Sequence, residues 1–274
     1  MVDDGAIVVQ TRTCLDLLRR LDSHVTFFIT SEIFDWYPGL VEEVAREEHE
    51  IAFHTHCHEV LRSSWDLERA LKDAAGFIKA WNPKGFRAPA LWMPRETYAV
   101  LAQAGFRYSS SVYGPSEEPL VINGVVEIPV STHRFRRALQ AIPQPMTLRL
   151  WLREIPFGSP YFLALFGWRA VDALMKLRES QSLPSNLFIH NWQLAVCGRA
   201  QRMHLYRESV HNPLFLPYTR IVRKEFVELL SRHRFTPLAS HPMIGAERLA
   251  HALGKRVAST SSVSHAASTR SGSI

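Results

Sequence analysis

His49-Glu50-Ile51-Ala52-Phe53-His54-Thr55-His56-Cys57-His58-Glu59 sets three histidines within five residues, directly after a short apolar run. Glu50 to Phe53 reads as a strand, because its apolar residues are bounded by charged and polar ones. The histidines therefore stand where a strand runs out into a loop, which is where α/β proteins place their chemistry. His54 and His58 are four residues apart, so one tight turn can aim both at a common point. Neutral imidazole is a common metal ligand. Solvated clusters also look like this, and the chain has 13 histidines in all, so the rest of the sequence has to decide.

Working outward, Val25-Thr26-Phe27-Phe28-Ile29 is β-branched and aromatic, a buried strand. Ser31 is placed to cap a helix whose apolar positions include Ile33, Leu40, Val41, Val44 and Ala45, with Pro38 as a break or a new start. Upstream, Ile7 to Leu21 carries Cys14, Leu15, Leu17, Leu18 and Leu21 at helical spacing. Downstream, the pattern predicts one long amphipathic helix over 61–81 with Trp65, Leu67, Leu71, Ala75, Ile78 and Trp81 inward. Gly85 to Pro89 reads as a short strand carrying a buriable Arg87, Pro94 opens a further helix, and Phe106 to Val112 is another strand. Strands and helices alternate, which predicts a parallel α/β architecture.

The second half is less regular. Ile122-Asn123-Gly124-Val125 has the form of a hairpin turn, followed by a strand from Val125 to Val130. A helix is expected over 159–179, a strand from Leu187 to Trp192 that ends on His190, a polar loop over 193–216, a helix over 217–233 and a last strand from Phe235 to Leu238. Residues 1–248 are read as one catalytic domain, and 249–274, rich in Ser, Thr and Ala with no periodic apolar face, as a disordered tail.

The net charge of +6 favours an anionic partner, such as a lipid-linked sugar or an acidic membrane surface. No aromatic-plus-basic motif accompanies it, so nucleic acid is not expected. Cys14, Cys57 and Cys197 are too few and too scattered for a disulfide framework. The sequence shows neither a secretory signal nor an apolar run long enough to span a bilayer. A cytoplasmic location, or one peripheral to the inner membrane without stable insertion, is therefore expected.

Four polar groups fall at strand ends: Asp3-Asp4, the His54/His58 pair, Arg87 and His190. In a parallel sheet those ends share one face and can converge. Two histidines and a carboxylate occupy three positions of a metal and leave room for water, whose pKa the metal lowers. A second carboxylate can take the water's proton, a separate histidine can protonate a leaving group, and an arginine can hold the base ionised. This is the equipment of a metal-assisted amide or ester hydrolase. The same donor set suits a non-haem iron oxygenase, but the adjacent second Asp and the β/α order argue against one.

These residues resemble the polysaccharide deacetylase family, the NodB-like carbohydrate esterases of family 4. Val2-Asp3-Asp4-Gly5 is similar to the end of the family's first motif, Thr-Phe-Asp-Asp-Gly. Val25 to Ile29, then Tyr37-Pro38-x-Leu40-Val41, then His49-Glu50-Ile51-x-x-His54-Thr55-x-x-His58 resemble the second block in order and spacing. Phe86-Arg87-x-Pro89 is similar to the third motif and Leu187-Phe188-Ile189-His190 to the fifth. Glu127-Ile128-Pro129-Val130-Ser131, Phe157-Gly158-x-x-Tyr161-Phe162 and His190-x-Trp192 look most like the subgroup found beside exopolysaccharide genes.

The resemblance implies a distorted (β/α)7-type barrel. It implies a divalent metal, zinc by preference, on Asp4, His54 and His58, with Asp3 as base, Arg87 as its partner and His190 as the acid. The amide of Ala90 would help hold the oxyanion, with Trp92 and Trp192 toward the substrate. The reaction would be hydrolysis of a non-peptide carbon–nitrogen bond, removing an acetyl group from an aminosugar of a poly- or oligosaccharide.

The sequence also departs from the family pattern. Only Met1 and Val2 stand where the family's first strand precedes Asp3, so that strand reads as truncated. Ser109 stands where relatives commonly carry Asp, Ala90-Leu91-Trp92 where they carry aromatics and Gly, and Asn191-Trp192-Gln193 where the subgroup favours Pro-Trp-Glu. Two further readings follow. One is a deformylase or other amide hydrolase acting on a lipid-linked aminosugar or a ring amide. The other is an inactive relative that binds carbohydrate without turnover.

Overall fold

A computed structural model describes residues 5–114, 120–134, 150, 153–195, 203, 206–207, 210 and 213–244. In chain order the elements are α1 (Ala6–Arg20), β1 (Thr26–Ile29), α2 (Ser31–Trp36), α3 (Pro38–Arg46), β2 (Glu50–Phe53), α4 (Ser64–Asp73), α5 (Ala75–Trp81), β3 (Gly85–Phe86) and α6 (Thr97–Gln103). Then come β4 (Tyr108–Ser109), β5 (Tyr113–Gly114), β6 (Leu120–Ile122), β7 (Val125–Glu127), β8 (Val130–Ser131), β9 (His133–Arg134), β10 (Glu154–Ile155), α7 (Pro160–Glu179) and α8 (Arg223–Leu230).

The main sheet has the order β1-β2-β3-β4-β7-β6. Its first five strands run parallel, and β6 pairs antiparallel with β7 through the Asn123-Gly124 turn, with Ile122 opposite Val125. The α/β class therefore holds, with a mixed sheet. In place of the expected barrel, the described strands form this sheet and two separate two-stranded pairs, β5–β8 and β9–β10.

Phe53 is fully buried where β2 ends, with the rings of Phe77, Phe86 and Phe106 at 6.0, 5.9 and 6.0 Å. Burying a side chain of this size stabilises by about 3 kcal/mol, which fixes the level at which the next residue, His54, leaves the sheet. Gly85 admits the close approach of β4: a Cβ there would stand 2.1 Å from the Tyr108 hydroxyl. At the opposite, N-terminal end of the strands, Glu50 accepts from Tyr108 Oη at 2.8 Å, Thr26 Oγ1 at 2.6 Å and the Ala239 amide at 3.0 Å. One carboxylate thus joins β1, β2, β4 and the C-terminal segment. Helix α1 buries Cys14 and Leu18 together with Leu194 and Leu230; its Arg12–Glu43 pair to α3 is exposed and adds little by comparison.

Several expectations change. The helix predicted over 61–81 divides at Ala74 into α4 and α5. The break resets the helical phase, so Ala74 and Phe77 are buried while Ala75 is exposed. Trp65 is 61% exposed rather than inward, with the Arg69 guanidinium 4.9 Å from its ring centre. Ser31 is the first helical residue and Thr30 holds the cap position. Residues 187–190 run extended without pairing as a strand, and 235–238 lead into a short 3-10 turn instead of forming one. The tail and Cys197 lie outside the described residues. Among the described residues, no helix is long and apolar enough to cross a membrane.

Candidate functional site

The C-terminal ends of β1, β2, β3, β4 and β7 point the same way, and the polar side chains gather there. His54 is the first residue past β2, and its amide still donates to Ile29 O at 2.9 Å. Arg87 is the first residue past β3, its amide donating to Phe53 O at 3.0 Å. The sheet's hydrogen-bond ladder therefore runs up to both residues and stops.

The histidine loop is moored to α2. The first amides of a helix have no partner within it, and here those of Ser31 and Glu32 donate to the carbonyls of Thr55 and His56, each at 3.1 Å. The Ser31 hydroxyl sits 2.8 Å from His56 Nδ1, so the middle histidine turns to the helix. To make this turn the backbone enters the left-handed region at Thr55 and His58, with φ 62° and 63°. A β-branched residue seldom adopts that conformation. The result brings the His54 and His58 rings to 4.9 Å at 76°.

His54 Nδ1 lies 2.7 Å from the Arg87 carbonyl. A carbonyl only accepts, so Nδ1 carries the proton and Nε2 presents a lone pair, the arrangement metal-binding histidines adopt. Burial first, then the neighbouring His58, pushes the His54 pKa down to about 3. Desolvation also lowers His58, although that residue keeps exposed surface. Both rings are therefore neutral donors near neutral pH, and the pair fits a soft-to-borderline divalent ion. Among the described residues no third carboxylate, histidine or cysteine completes such a group. Asp3 and Asp4 lie outside the described residues.

Arg87 is buried with its guanidinium between two rings, 4.2 Å from the centre of Phe28 and 5.0 Å from that of Phe188. Its Nε donates to Ser110 O at 2.7 Å and its Nη2 to Ser110 Oγ at 2.6 Å. Desolvation lowers its pKa to about 10, which leaves it a cation at neutral pH. Its carbonyl holds His54 while its side chain reaches across the sheet end.

His190 approaches from the second half of the chain. Its ring stacks on Trp192 at 4.1 Å and 12°, and meets Phe188 and Tyr218 edge-on at 5.5 and 5.6 Å. Gln193 Oε1 receives the His190 amide at 3.4 Å and lies 3.2 Å from His190 Nδ1. Because the amide can only donate, the Gln193 atom is the oxygen, so Nδ1 bears a proton and Nε2 is left to act. Burial lowers the His190 pKa to about 4, with His58 and Arg87 adding to the depression. Phe188 joins the two halves, with the Arg87 guanidinium 5.0 Å from its ring centre and the His190 ring meeting it edge-on.

Ala90 lies in a 3-10 turn, Pro89–Leu91, with φ 56°, followed by Leu91 at 51°. Trp92 follows, 49% exposed, at the surface. Thus His54, His58, Arg87, His190 and Trp192 gather, Ala90 is held on the turn beyond Arg87, and Trp92 faces outward. The sequence reading gave no role to Gln193, Phe28, Phe188, Ser111 or Glu127. Glu127 carried a usable signal: a carboxylate inside the apolar run Val125 to Ile128, now fully buried.

Comparison with known proteins gives sequence matches over part of the chain. The family model described as polysaccharide deacetylase matches residues 1–109. A peptidoglycan-N-acetylglucosamine deacetylase of Bacillus cereus is 33% identical over 109 residues, 38% of this chain and 51% of the relative. A peptidoglycan deacetylase-like protein of Gibberella zeae is 25% identical over 137 residues, 48% of this chain and 40% of the relative. The chain thus spans about half the length of the curated relatives it matches. Among solved structures, a peptidoglycan deacetylase from Bacillus subtilis superposes with a TM-score of 0.46 at 13% identity, covering 90% of each chain.

Proposed function

We propose, from the match of residues 1–109 to the polysaccharide deacetylase family model, that the chain removes an N-acetyl group from an aminosugar of a poly- or oligosaccharide. The observation that carries this reading is the gathering of His54, His58 and Arg87 at the C-terminal ends of the sheet's parallel strands, with His190 joined to Arg87 through the ring of Phe188.

His54 and His58, with Asp4, would hold a divalent metal, zinc by preference, and the chemistry it would supply is a polarised acetyl oxygen and a water of lowered pKa. Asp3 would take the proton of the attacking water as its oxygen bonds to the acetyl carbon, and the buried cation of Arg87 would help keep Asp3 ionised. The amide of Ala90 donates to the acetyl oxygen as negative charge grows on it. His190, once Nε2 has taken up a proton from solvent, delivers it to the sugar nitrogen as the carbon–nitrogen bond breaks, leaving acetate and a free amine, and Asp3 returns its proton to solvent. Burial favours neutral His190 in the free protein, so Nε2 has to gain that proton before the bond breaks. Trp192, stacked on His190, bounds the sugar's side of the site.

The test is acetate release from N-acetylglucosamine oligomers by the zinc-loaded protein, with N-formyl and lipid-linked aminosugars as parallel substrates. Release from the acetylated oligomer that disappears in His190→Ala supports the reading. Release from the formyl or lipid-linked substrate alone shifts the substrate class, and no release from any substrate with zinc, cobalt or manganese overturns the activity.

A further inference from the structure

Glu127 is a fully buried carboxylate that the reaction above does not use. It lies on β7 directly opposite Ser109 of β4. Its Oε1 accepts the amide of Ser111 at 2.7 Å and its Oε2 accepts the Tyr98 hydroxyl at 2.7 Å. Burial lifts its pKa, while Ser109, the Ser111 amide, Tyr98 and the charge of Arg87 pull it back toward the ionised form.

Ser111, held in this way by its main chain, uses its hydroxyl in the other direction. Its Oγ accepts the amide of Ala88 at 2.8 Å. Having accepted there, it has its own proton to give to Ser109 Oγ, 2.7 Å away. The Ala88 amide and the Arg87 carbonyl are the two ends of one peptide plane. The carbonyl end receives His54 Nδ1–H at 2.7 Å. Hydrogen bonds at both ends of a peptide polarise it in the same sense, so each strengthens the other.

We propose that Glu127 and Ser111 are positioning residues for His54, acting through the peptide between Arg87 and Ala88. This rests on the reading of His54 as a metal ligand. Glu127 fixes Ser111, Ser111 fixes the amide of Ala88, and the peptide so held presents its carbonyl to His54 Nδ1. That selects the Nδ1–H form of the ring and leaves Nε2 as the donor atom.

Long-range proton–nitrogen correlation NMR on metal-free protein labelled with 15N-histidine reads the His54 tautomer directly and needs neither metal nor activity. Wild-type protein is expected in the Nδ1–H form; an Nε2–H wild type overturns the proposal whatever the variants do. Ser111→Ala and Glu127→Gln are expected to raise the Nε2–H population and to weaken zinc binding by roughly tenfold, the usual effect of losing a partner behind a ligand. Folded variants with an unchanged tautomer and unchanged zinc affinity also overturn it. Should one variant fail to fold, the other and the wild-type spectrum decide. A protein that releases no acetate but shows the tautomer shift refutes the catalytic reading and leaves this inference standing.

Discussion

The His54 side and the His190 side of the site are built by different means. His54 continues a hydrogen-bond ladder: β1, β2 and β3 pair in register up to the last strand residue, and the loop beyond is tied to the first amides of α2. His190 has no such ladder beneath it. Its segment runs extended and is positioned by rings, with Trp192, Phe188 and Tyr218 around the imidazole and Gln193 at its back. Backbone bonds are directional and fix a residue by register, while stacked rings fix it by shape. The two sides meet at Arg87, whose carbonyl serves His54 and whose guanidinium lies on Phe188.

Four measurements would break or sharpen that contrast. His190→Ala is expected to lower acetate release by roughly a thousandfold, the scale of a lost general acid, while urea melts show little loss of stability. A matching collapse in stability would mean that His190 holds its rings in place rather than the reverse. On the other side, Phe53→Ala removes the ring beneath His54 and should destabilise by about 4 kcal/mol in urea unfolding. A loss under about 1 kcal/mol would show that the ladder does not depend on this core.

Gly158→Ala places a Cβ 2.4 Å from Asn186 O, in the stretch that leads to His190. The expected cost is about 2 kcal/mol, with the His190 NMR signals moving and those of His54 staying. Movement of both sets would make the two sides one rigid unit.

The fourth measurement concerns pH. Burial lowers the pKa of His49, just before β2, and of His241, in the C-terminal segment, from 6.5 to about 4. His24 adds to the depression at His49 and Glu47 opposes it, while Arg178 adds to that at His241. Above pH 6.5 both are neutral whether the chain is folded or unfolded, so they cost nothing. Between 6.5 and about 4 the unfolded chain takes up protons that the folded one refuses, and stability falls as pH falls. Denaturation midpoints measured from pH about 7.5 down to about 4.5 should drop steadily, and a flat series would show these histidines to be solvated.

The same contrast explains what could be read from the chain. The strand from Glu50 to Phe53, the hairpin at Asn123-Gly124 and the helix ending at Glu179 are set by local pattern, and each stands within a residue of its expected place. His54 and His58 were legible because both belong to one loop. Residues 187–192 have the composition of a strand, yet the Phe188 amide goes to Gly158 O and the Asn186 side chain to Ser110, Ile128 and Pro129, so tertiary partners replace a ladder. Gln193 stands three residues from His190, but only the turn Asn191–Gln193 brings its oxygen back to the ring. The division of the 61–81 helix follows from a change of phase at Ala74, a residue that by itself favours helix.

The left-handed backbone at Thr55, His58, Ala90 and Leu91 bears on anyone setting out to thermostabilise this protein. Backbone preference alone would put glycine at Thr55 and Ala90, and each change would relieve local strain. Each would also free the turn to sample other shapes, at the loop that carries both candidate ligands and at the turn that follows Arg87. A screen that ranks variants by melting temperature would therefore favour substitutions that loosen these two turns, so it should be run with a metal-affinity readout beside it.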